Sequence, residues 1–140
     1  MGCAAGDDGM QYRVTVTRRF SGKNGQSVVA VGFSMTNQSG TGHDFDASGG
    51  GFTADLTSGG VVQLENVLSA AGAGDPLCYT NPLVYGGGSD PNIVHVNPGS
   101  SYAFPKQICM SVAPGDKVRA VEFADNDASN NALVTFPAPI

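Results

Sequence analysis

Two stretches near the start of the chain alternate between hydrophobic and polar residues, the pattern of a β-strand with one buried face. In the first stretch Tyr12, Val14 and Val16 share a face. The second stretch, residues 29–35, places its apolar side chains at every other position. Residues 21–25 lie between them and include an Asn-Gly dipeptide, which favours a tight hairpin turn. The pattern therefore predicts a β-hairpin.

Shorter alternating segments predict further strands along the rest of the chain. These segments lie at residues 52–56, 61–64, 93–96, 102–104, 108–112 and 133–136. A further short strand is expected around Phe45. Val118 and Ala120 are out of phase with Val121 and Phe123, so we expect a β-bulge near Ala120. About seven to nine short strands joined by turns indicate an all-β, antiparallel sandwich or barrel.

The pattern weakens in two regions, which sets the expected domain organisation. Residues 1–10 are small, acidic and glycine-rich, so we expect a flexible N-terminal tether. Residues 11–140 then form a single β-sandwich domain, since 140 residues suffice for one well-buried core. Within that domain, residues 65–92 show no strand pattern and are expected to form a long loop.

Charge and hydropathy exclude some partners. The net charge of −5 opposes binding to nucleic acid, which depends on neutralising phosphates with Lys and Arg. No stretch reaches the roughly 20 apolar residues that a membrane span needs. Contact with a membrane is therefore expected only through a lipid anchor.

Cys3 is the candidate for that anchor. An N-terminal cysteine after a small residue is typical of a bacterial lipoprotein whose signal peptide has been removed, and here Gly2 precedes it. A second interpretation is myristoylation of Gly2, although that motif has Ser or Thr at the position occupied by Gly6. The third is a cysteine without a role. We expect lipidation of Cys3 and an extracytoplasmic, cell-surface or secreted location.

Three cysteines leave one unpaired, and a lipidated Cys3 explains the odd number. Cys78 and Cys109 then form the expected disulfide, which an oxidising compartment permits. Such a bond ties the loop at 65–92 to a later strand instead of linking two sheets. Two buried free thiols are the alternative.

The chain resembles the immunoglobulin-like domains of Gram-positive bacterial lipoproteins and secreted antigens, which are mostly of unassigned function. The resemblance spans residues 11–137 and rests on the strands at 12–16 and 29–35, the Thr-Asn-Gln-Ser-Gly motif at 36–40, and the turns at 97–101 and 113–116. It implies an immunoglobulin-like antiparallel β-sandwich. It brings no catalytic motif with it.

Candidate chemistry is sparse. His43 and His95 are the only histidines and are expected on the surface, too few to supply a zinc or blue-copper ligand set. Asp125 and Asp127 lie in a polar loop whose oxygen atoms could bind Ca²⁺, but the loop lacks the spacing of an EF-hand and an ordinary hairpin turn is the favoured interpretation. We expect no catalytic residues, no metal and no cofactor.

The remaining candidate is a partner-binding surface in the long loop, formed by Leu77, Tyr79 and Tyr85. Aromatic side chains on a restrained loop are common in recognition surfaces, although they also serve as cover for one end of a sandwich. We therefore expect a non-catalytic binding domain for a protein, cell-wall or small-molecule partner. The alternatives are a structural or decorating module of a cell or virion surface without a ligand, and a metal-dependent enzyme.

Overall fold

The structure is a computed structural model, and it describes residues 2–5, 9–21, 25, 27–46, 52–63, 78, 93–125, 130–136 and 138–140. These residues form no α-helix, which confirms the predicted all-β class. They form eleven strands: β1 (Gly2–Ala5), β2 (Met10–Ser21), β3 (Ser27–Asn37), β4 (His43–Asp46), β5 (Phe52–Leu56), β6 (Val61–Gln63), β7 (Ile93–Val96), β8 (Ser101–Ala103), β9 (Ile108–Val112), β10 (Val118–Asp125) and β11 (Asn130–Thr135).

The predicted hairpin is confirmed and forms the centre of a five-stranded antiparallel sheet. Its strand order is β1-β2-β3-β8, and β9 also pairs with β3. β8 and β9 lie end to end along the same edge of β3, β9 opposite residues 27–31 and β8 opposite residues 34–36. Gly25, in the turn between β2 and β3, has a φ of 71°, in the left-handed region that glycine adopts without steric cost.

A four-stranded antiparallel sheet, of order β11-β10-β5-β6, faces the first. The pairing of β10 with β5 shifts register between Val118 and Ala120, which confirms the predicted bulge. Because the bulge changes the phase of β10, both Val118 and Val121 are buried in the core. The strand thus keeps one apolar face despite its mixed pattern.

Aromatic rings from both sheets meet in the core. Phe33 on β3 lies 5.2 Å from Phe52 on β5 and 4.9 Å from Phe123 on β10, measured between ring centroids. Phe104, which follows β8, lies 4.8 Å from Phe33. Burying each of these side chains stabilises the fold by about 1.5–3 kcal/mol. The two sheets therefore pack face to face as a β-sandwich.

A separate two-stranded sheet, β4 with β7, contributes Phe45 and Val94 to the same core. It also gives a correction. His43 was predicted to lie on the surface, yet it is only 7% exposed. It shares the inward face of β4 with Phe45, because the two residues are two positions apart on a strand, and it pairs with Val96.

The structure also corrects the prediction of a flexible N-terminal tether at residues 1–10. Gly2–Ala5 form β1 and pair with β2, and Met10, the last residue of the expected tether, begins β2 and is buried in the core. Main-chain hydrogen bonds at a sheet edge need no hydrophobic pattern, so these small residues gave no signal. The eleven strands also exceed the expected seven to nine, because β1 and several other strands are only three or four residues long.

Candidate functional site

The predicted disulfide is present between Cys78 and Cys109, with the two sulfur atoms 1.96 Å apart and the Cα atoms 5.7 Å apart. On β9, Ile108 and Met110 point into the sandwich core, so Cys109 between them points away from it. Cys78 also forms an isolated parallel bridge with Gln107. The bond therefore lies on the outer face of the five-stranded sheet and does not join the two sheets, as expected.

The disulfide is part of a second, smaller hydrophobic cluster, here called the disulfide patch. It consists of Cys78, Cys109, Val28 and Ala30, with Phe20 packed against them. Val28 and Ala30 are fully buried although they face away from the main core. β3 is thus buried on both faces along this half of its length, which explains its nearly continuous apolar run at 28–31.

A bulge in β2 gives the disulfide patch its polar rim. The register of β2 against β3 shifts between Val16 and Arg18, so that Arg18 stands opposite Ala30. The Arg18 guanidinium lies 4.4 Å from the centre of the Phe20 ring, and its Nε donates a hydrogen bond to Gln107 Oε1 at 3.0 Å. This cation–π contact and hydrogen bond close one side of the patch.

Ser111 lies on the same face of β9 as Cys109 and opposite Val28. Its hydroxyl oxygen is buried and has no hydrogen-bond partner among the described residues. Native proteins rarely leave such a group unpaired, because burying a hydroxyl without a partner costs free energy.

The predicted partner-binding residues Leu77, Tyr79 and Tyr85 lie outside the described residues. Cys78 lies between Leu77 and Tyr79 in the sequence. Its disulfide with Cys109 attaches the chain to the five-stranded sheet at this residue. The lipidation candidate Cys3 lies in β1, with its Cα opposite Arg13 of β2.

The structure describes only some of the candidate metal ligands. Among the described residues, no group of three or more His, Cys, Asp or Glu side chains is placed to hold a metal ion. Asp127 lies outside these residues, and Asp125 ends β10. His95 is exposed as predicted and its Nδ1 lies 2.5 Å from Asp44 Oδ1, a cross-strand pair between β7 and β4.

Asn37 is the polar centre that sequence reasoning missed. It ends β3, is fully buried, and its Nδ2 donates to the carbonyl oxygens of Thr41 at 2.7 Å and Val96 at 3.0 Å. Its Oδ1 accepts from the Ser39 main-chain N–H at 2.9 Å and from the Ser39 hydroxyl at 2.6 Å. The main chain of Asn37 also bonds Gly99 and Ser100.

The side-chain amide of Asn37 therefore joins the turn after β3 to the end of β7, and its main chain joins β3 to the turn before β8. The only sequence signal was its position within the Thr-Asn-Gln-Ser-Gly motif at 36–40, on which the family resemblance partly rested. Hydrogen bonding within the domain accounts for Asn37 and Ser39 of this motif. It leaves Asn37 without free bonding capacity for a ligand.

The opposite end of the sandwich is fastened by Asp116, at the surface between β9 and β10. Its carboxylate accepts hydrogen bonds from the Ser58 hydroxyl at 2.6 Å, the Thr57 hydroxyl at 2.9 Å and the Lys117 main-chain N–H at 2.9 Å. The Ser58 hydroxyl contributes most to lowering the pKa of Asp116 below its ordinary value of 3.8, and partial desolvation opposes that shift.

Arg19 connects this end of the sandwich to the C-terminal residues. Its guanidinium donates to the main-chain oxygens of Asp116 at 2.7 Å and Ile140 at 3.1 Å. Ile140 in turn exchanges two main-chain hydrogen bonds with Val118 at the start of β10. Arg19 thus works as a structural link from β2 to the other sheet.

Comparison of the chain with protein-family models, curated protein sequences and solved structures gives no significant match. Among the described residues, no helix has the length and apolar character needed to cross a membrane.

Proposed function

We propose that this protein is an immunoglobulin-like, non-catalytic binding domain that works outside the cytoplasm and is held at a membrane by a lipid on Cys3. The observation that carries the proposal is the disulfide between Cys78 and Cys109. Disulfides persist in oxidising compartments and are rare in the cytosol, so the bond is compatible with an extracellular location. It also attaches the candidate recognition segment to a rigid sheet.

The strand order supports the immunoglobulin-like part of the proposal. In such domains the first two strands pair with a later strand in one sheet, while the last two pair with a middle strand in the other. Here, with β1 added at the edge beside β2, β3 pairs with β2 and with β9 in one sheet, and β10 pairs with β11 and with β5 in the other. In both sheets some neighbouring strands come from distant parts of the chain, as β3 and β9 do.

Attachment at Cys78 supports the binding part. A loop that is ordered before it binds loses less conformational entropy on binding, and aromatic side chains provide contact area with few rotatable bonds. Tyr79 directly follows the attached cysteine, and Leu77 directly precedes it. We propose that Leu77, Tyr79 and Tyr85 contact a protein, cell-wall or small-molecule partner there.

The binding test compares the Tyr79→Ala/Tyr85→Ala variant with Val61→Ala. Val61 is 61% exposed on β6, outside the proposed surface, and is the matched control. Purified cell-wall sacculi, detergent-extracted surface proteins and a small-molecule library are the probes. We expect a probe that binds the wild type and Val61→Ala alike and binds the double tyrosine variant at least about tenfold more weakly. A lower melting temperature with unchanged binding would instead show that these tyrosines are structural cover.

Three measurements test the two attachment points, the disulfide and Cys3, separately. Alkylation under denaturing conditions should modify two more thiols after reduction than before it. The Cys78→Ala/Cys109→Ala variant should lose about 3–4 kcal/mol of unfolding free energy in the chain-entropy view, because the bond closes a separation of 31 residues. Metabolic labelling with an alkynyl fatty acid should mark the wild type and not Cys3→Ser; equal labelling of both would remove the lipid anchor from the proposal.

A further inference from the structure

The motif around Asn37 has the sequence of an N-glycosylation site. Asn37-Gln38-Ser39 fits the acceptor pattern Asn-x-Ser/Thr with x other than Pro, and the sequence contains no other such triplet. In proteins that carry glycans, this pattern lies in surface loops, because the sugar must project into solvent. The sequence pattern therefore permits a glycan on Asn37, whereas the burial of this side chain leaves no solvent-exposed position for one.

The conflict is specific to the atom that would be modified. Nδ2 of Asn37 carries two hydrogens, and both are used, one for Thr41 and one for Val96. The side chain is 0% exposed, and Oδ1 is occupied by the two bonds from Ser39. No orientation of the amide frees Nδ2 without breaking bonds on both sides of the group.

We propose that Asn37 is a modification site whose occupancy is incompatible with the native fold, so that the chain folds only where this triplet remains unmodified. Glycan transfer forms a bond between Nδ2 and the anomeric carbon of a lipid-linked oligosaccharide. One Nδ2 hydrogen leaves as a proton, and the lipid diphosphate is the leaving group. The product has one hydrogen on Nδ2 in place of two and a sugar where the structure has protein.

The consequences for folding follow from those two changes. The carbonyl of Thr41 or Val96 loses its hydrogen bond from Nδ2, and the turn after β3 must open to admit the sugar. Losing one buried hydrogen bond already shifts the folding equilibrium about tenfold towards the unfolded chain, and displacing the turn adds to that shift. Glycosylation precedes folding in secretory compartments that attach N-glycans, so modified chains would be trapped before the amide is buried.

The incompatibility between the glycan and the fold restricts the export routes from which folded protein can emerge. If the chain crosses a membrane by a route that attaches no N-glycans, Asn37 stays unmodified and the chain can fold. A secretory route that attaches N-glycans would modify Asn37 and prevent folding. That step rests on the proposed extracytoplasmic location. The incompatibility between the glycan and the fold does not rest on it, since it depends only on the geometry of Asn37.

The experiment compares secretion from glycosylating animal cells with production in bacteria that attach no N-glycan. Ser39→Ala removes the acceptor triplet and keeps Asn37, at the cost of the hydrogen bonds that the Ser39 hydroxyl makes with Asn37 Oδ1 and the Thr41 main chain. Adding Arg13→Asn to Ser39→Ala completes an acceptor triplet with Val14 and Thr15 on an exposed position of β2. This double variant is the matched control for glycosylation at a site where the fold has room.

From the animal cells, we expect Ser39→Ala to be secreted folded without a glycan and the double variant to be secreted folded with one. Wild-type chains that carry the glycan should stay in the cells and be protease-sensitive, and any secreted wild type should lack it. From the bacteria, the wild type should fold at least as stably as Ser39→Ala. Secreted, protease-resistant wild type with a glycan on Asn37 would overturn the proposal, whatever the outcome of the binding tests.

Discussion

At each end of the sandwich one polar side chain bonds the neighbouring turns together, and these two side chains, Asn37 and Asp116, differ in charge. At one end the neutral amide of Asn37 is fully buried and both donates and accepts. At the other end the carboxylate of Asp116 lies at the surface and accepts from Ser58, Thr57 and Lys117. A buried charge is costly unless it is compensated, whereas a surface carboxylate remains partly hydrated.

The difference shows how burial decides which residue type can organise a turn. Both groups gather loops that the sheets bring together. The buried group must satisfy donors and acceptors at once, which an amide does. The surface group faces only donors, which suits a carboxylate. Stability should therefore be insensitive to pH at the Asn37 end and sensitive to it at the Asp116 end.

The largest expected effect comes from changing Asn37. Asn37→Ala should lower the unfolding free energy by about 2–4 kcal/mol, because it leaves the Val96 carbonyl and the Ser39 donors without partners. Urea denaturation followed by circular dichroism measures it. A loss below about 0.5 kcal/mol would show that water replaces the amide and that the network does not fasten this end.

Asn37→Asp sharpens the comparison, because it brings the charge of the other end into the buried site. Burial should raise the pKa of the new carboxyl, so its destabilising effect should grow as the pH rises above about 3.9, the usual aspartate value. Denaturation between pH 4 and pH 7 should show a widening gap from the wild type. A constant gap would mean that the charge is hydrated in the native state.

Asp116 should give a smaller effect with the opposite dependence on pH. Its pKa is lowered in the folded protein, so the carboxylate contributes stability above pH 3.8, and this contribution is lost as the pH falls through the native pKa. Wild type should be more stable than Asp116→Asn near neutral pH, and the two should converge in acid. Parallel curves would contradict this assignment.

Ser58→Ala is the companion variant for that test, since the Ser58 hydroxyl is the main cause of the lowered pKa. Its removal should move the pKa of Asp116 towards 3.8, observed by carboxyl ¹³C chemical shifts during a pH titration. Thr57→Val should move it less, because the Thr57 hydroxyl bond is longer, at 2.9 Å against 2.6 Å. The reverse order would show that the two hydroxyls have been ranked wrongly.

The smallest expected effect is at Ser111, whose polar atom, unlike those of Asn37 and Asp116, has no partner among the described residues. Ser111→Ala should raise the unfolding free energy by about 0.5–1 kcal/mol, since it removes an unpaired buried hydroxyl. Ser101→Ala is the control, because that hydroxyl is paired with Thr36 at 2.7 Å near the surface. Destabilisation by Ser111→Ala beyond that of the control would indicate an ordered water at this hydroxyl.

The sequence predicted what depends on local pattern. Strands β2, β3, β5, β7 and β9 were visible because a half-buried strand alternates with a period of two residues, and the bulge at Ala120 was visible as a break in that phase. The disulfide followed from counting cysteines. These features need no knowledge of which strands are neighbours in space.

What the sequence did not reveal depends on tertiary neighbours. Asn37 became the centre of a network only because β7 and the turn before β8 approach it, and these lie far along the chain. β4 has four residues, too few for alternation to show that His43 faces inward. β1 is held by main-chain pairing, which small residues do not advertise.

The central position of β3 also has a consequence for how the chain reaches its native state. The hairpin of β2 and β3 is local and can form early, but β8 and β9, which cover the other edge of β3, come much later in the chain. Until they are made, β3 presents an unpaired edge whose residues 28–31 are all apolar. Such edges promote aggregation. Folding of the newly made protein therefore requires β9 to pair with β3 quickly, or a chaperone to cover this edge of β3. The stability of the folded protein does not reveal this requirement.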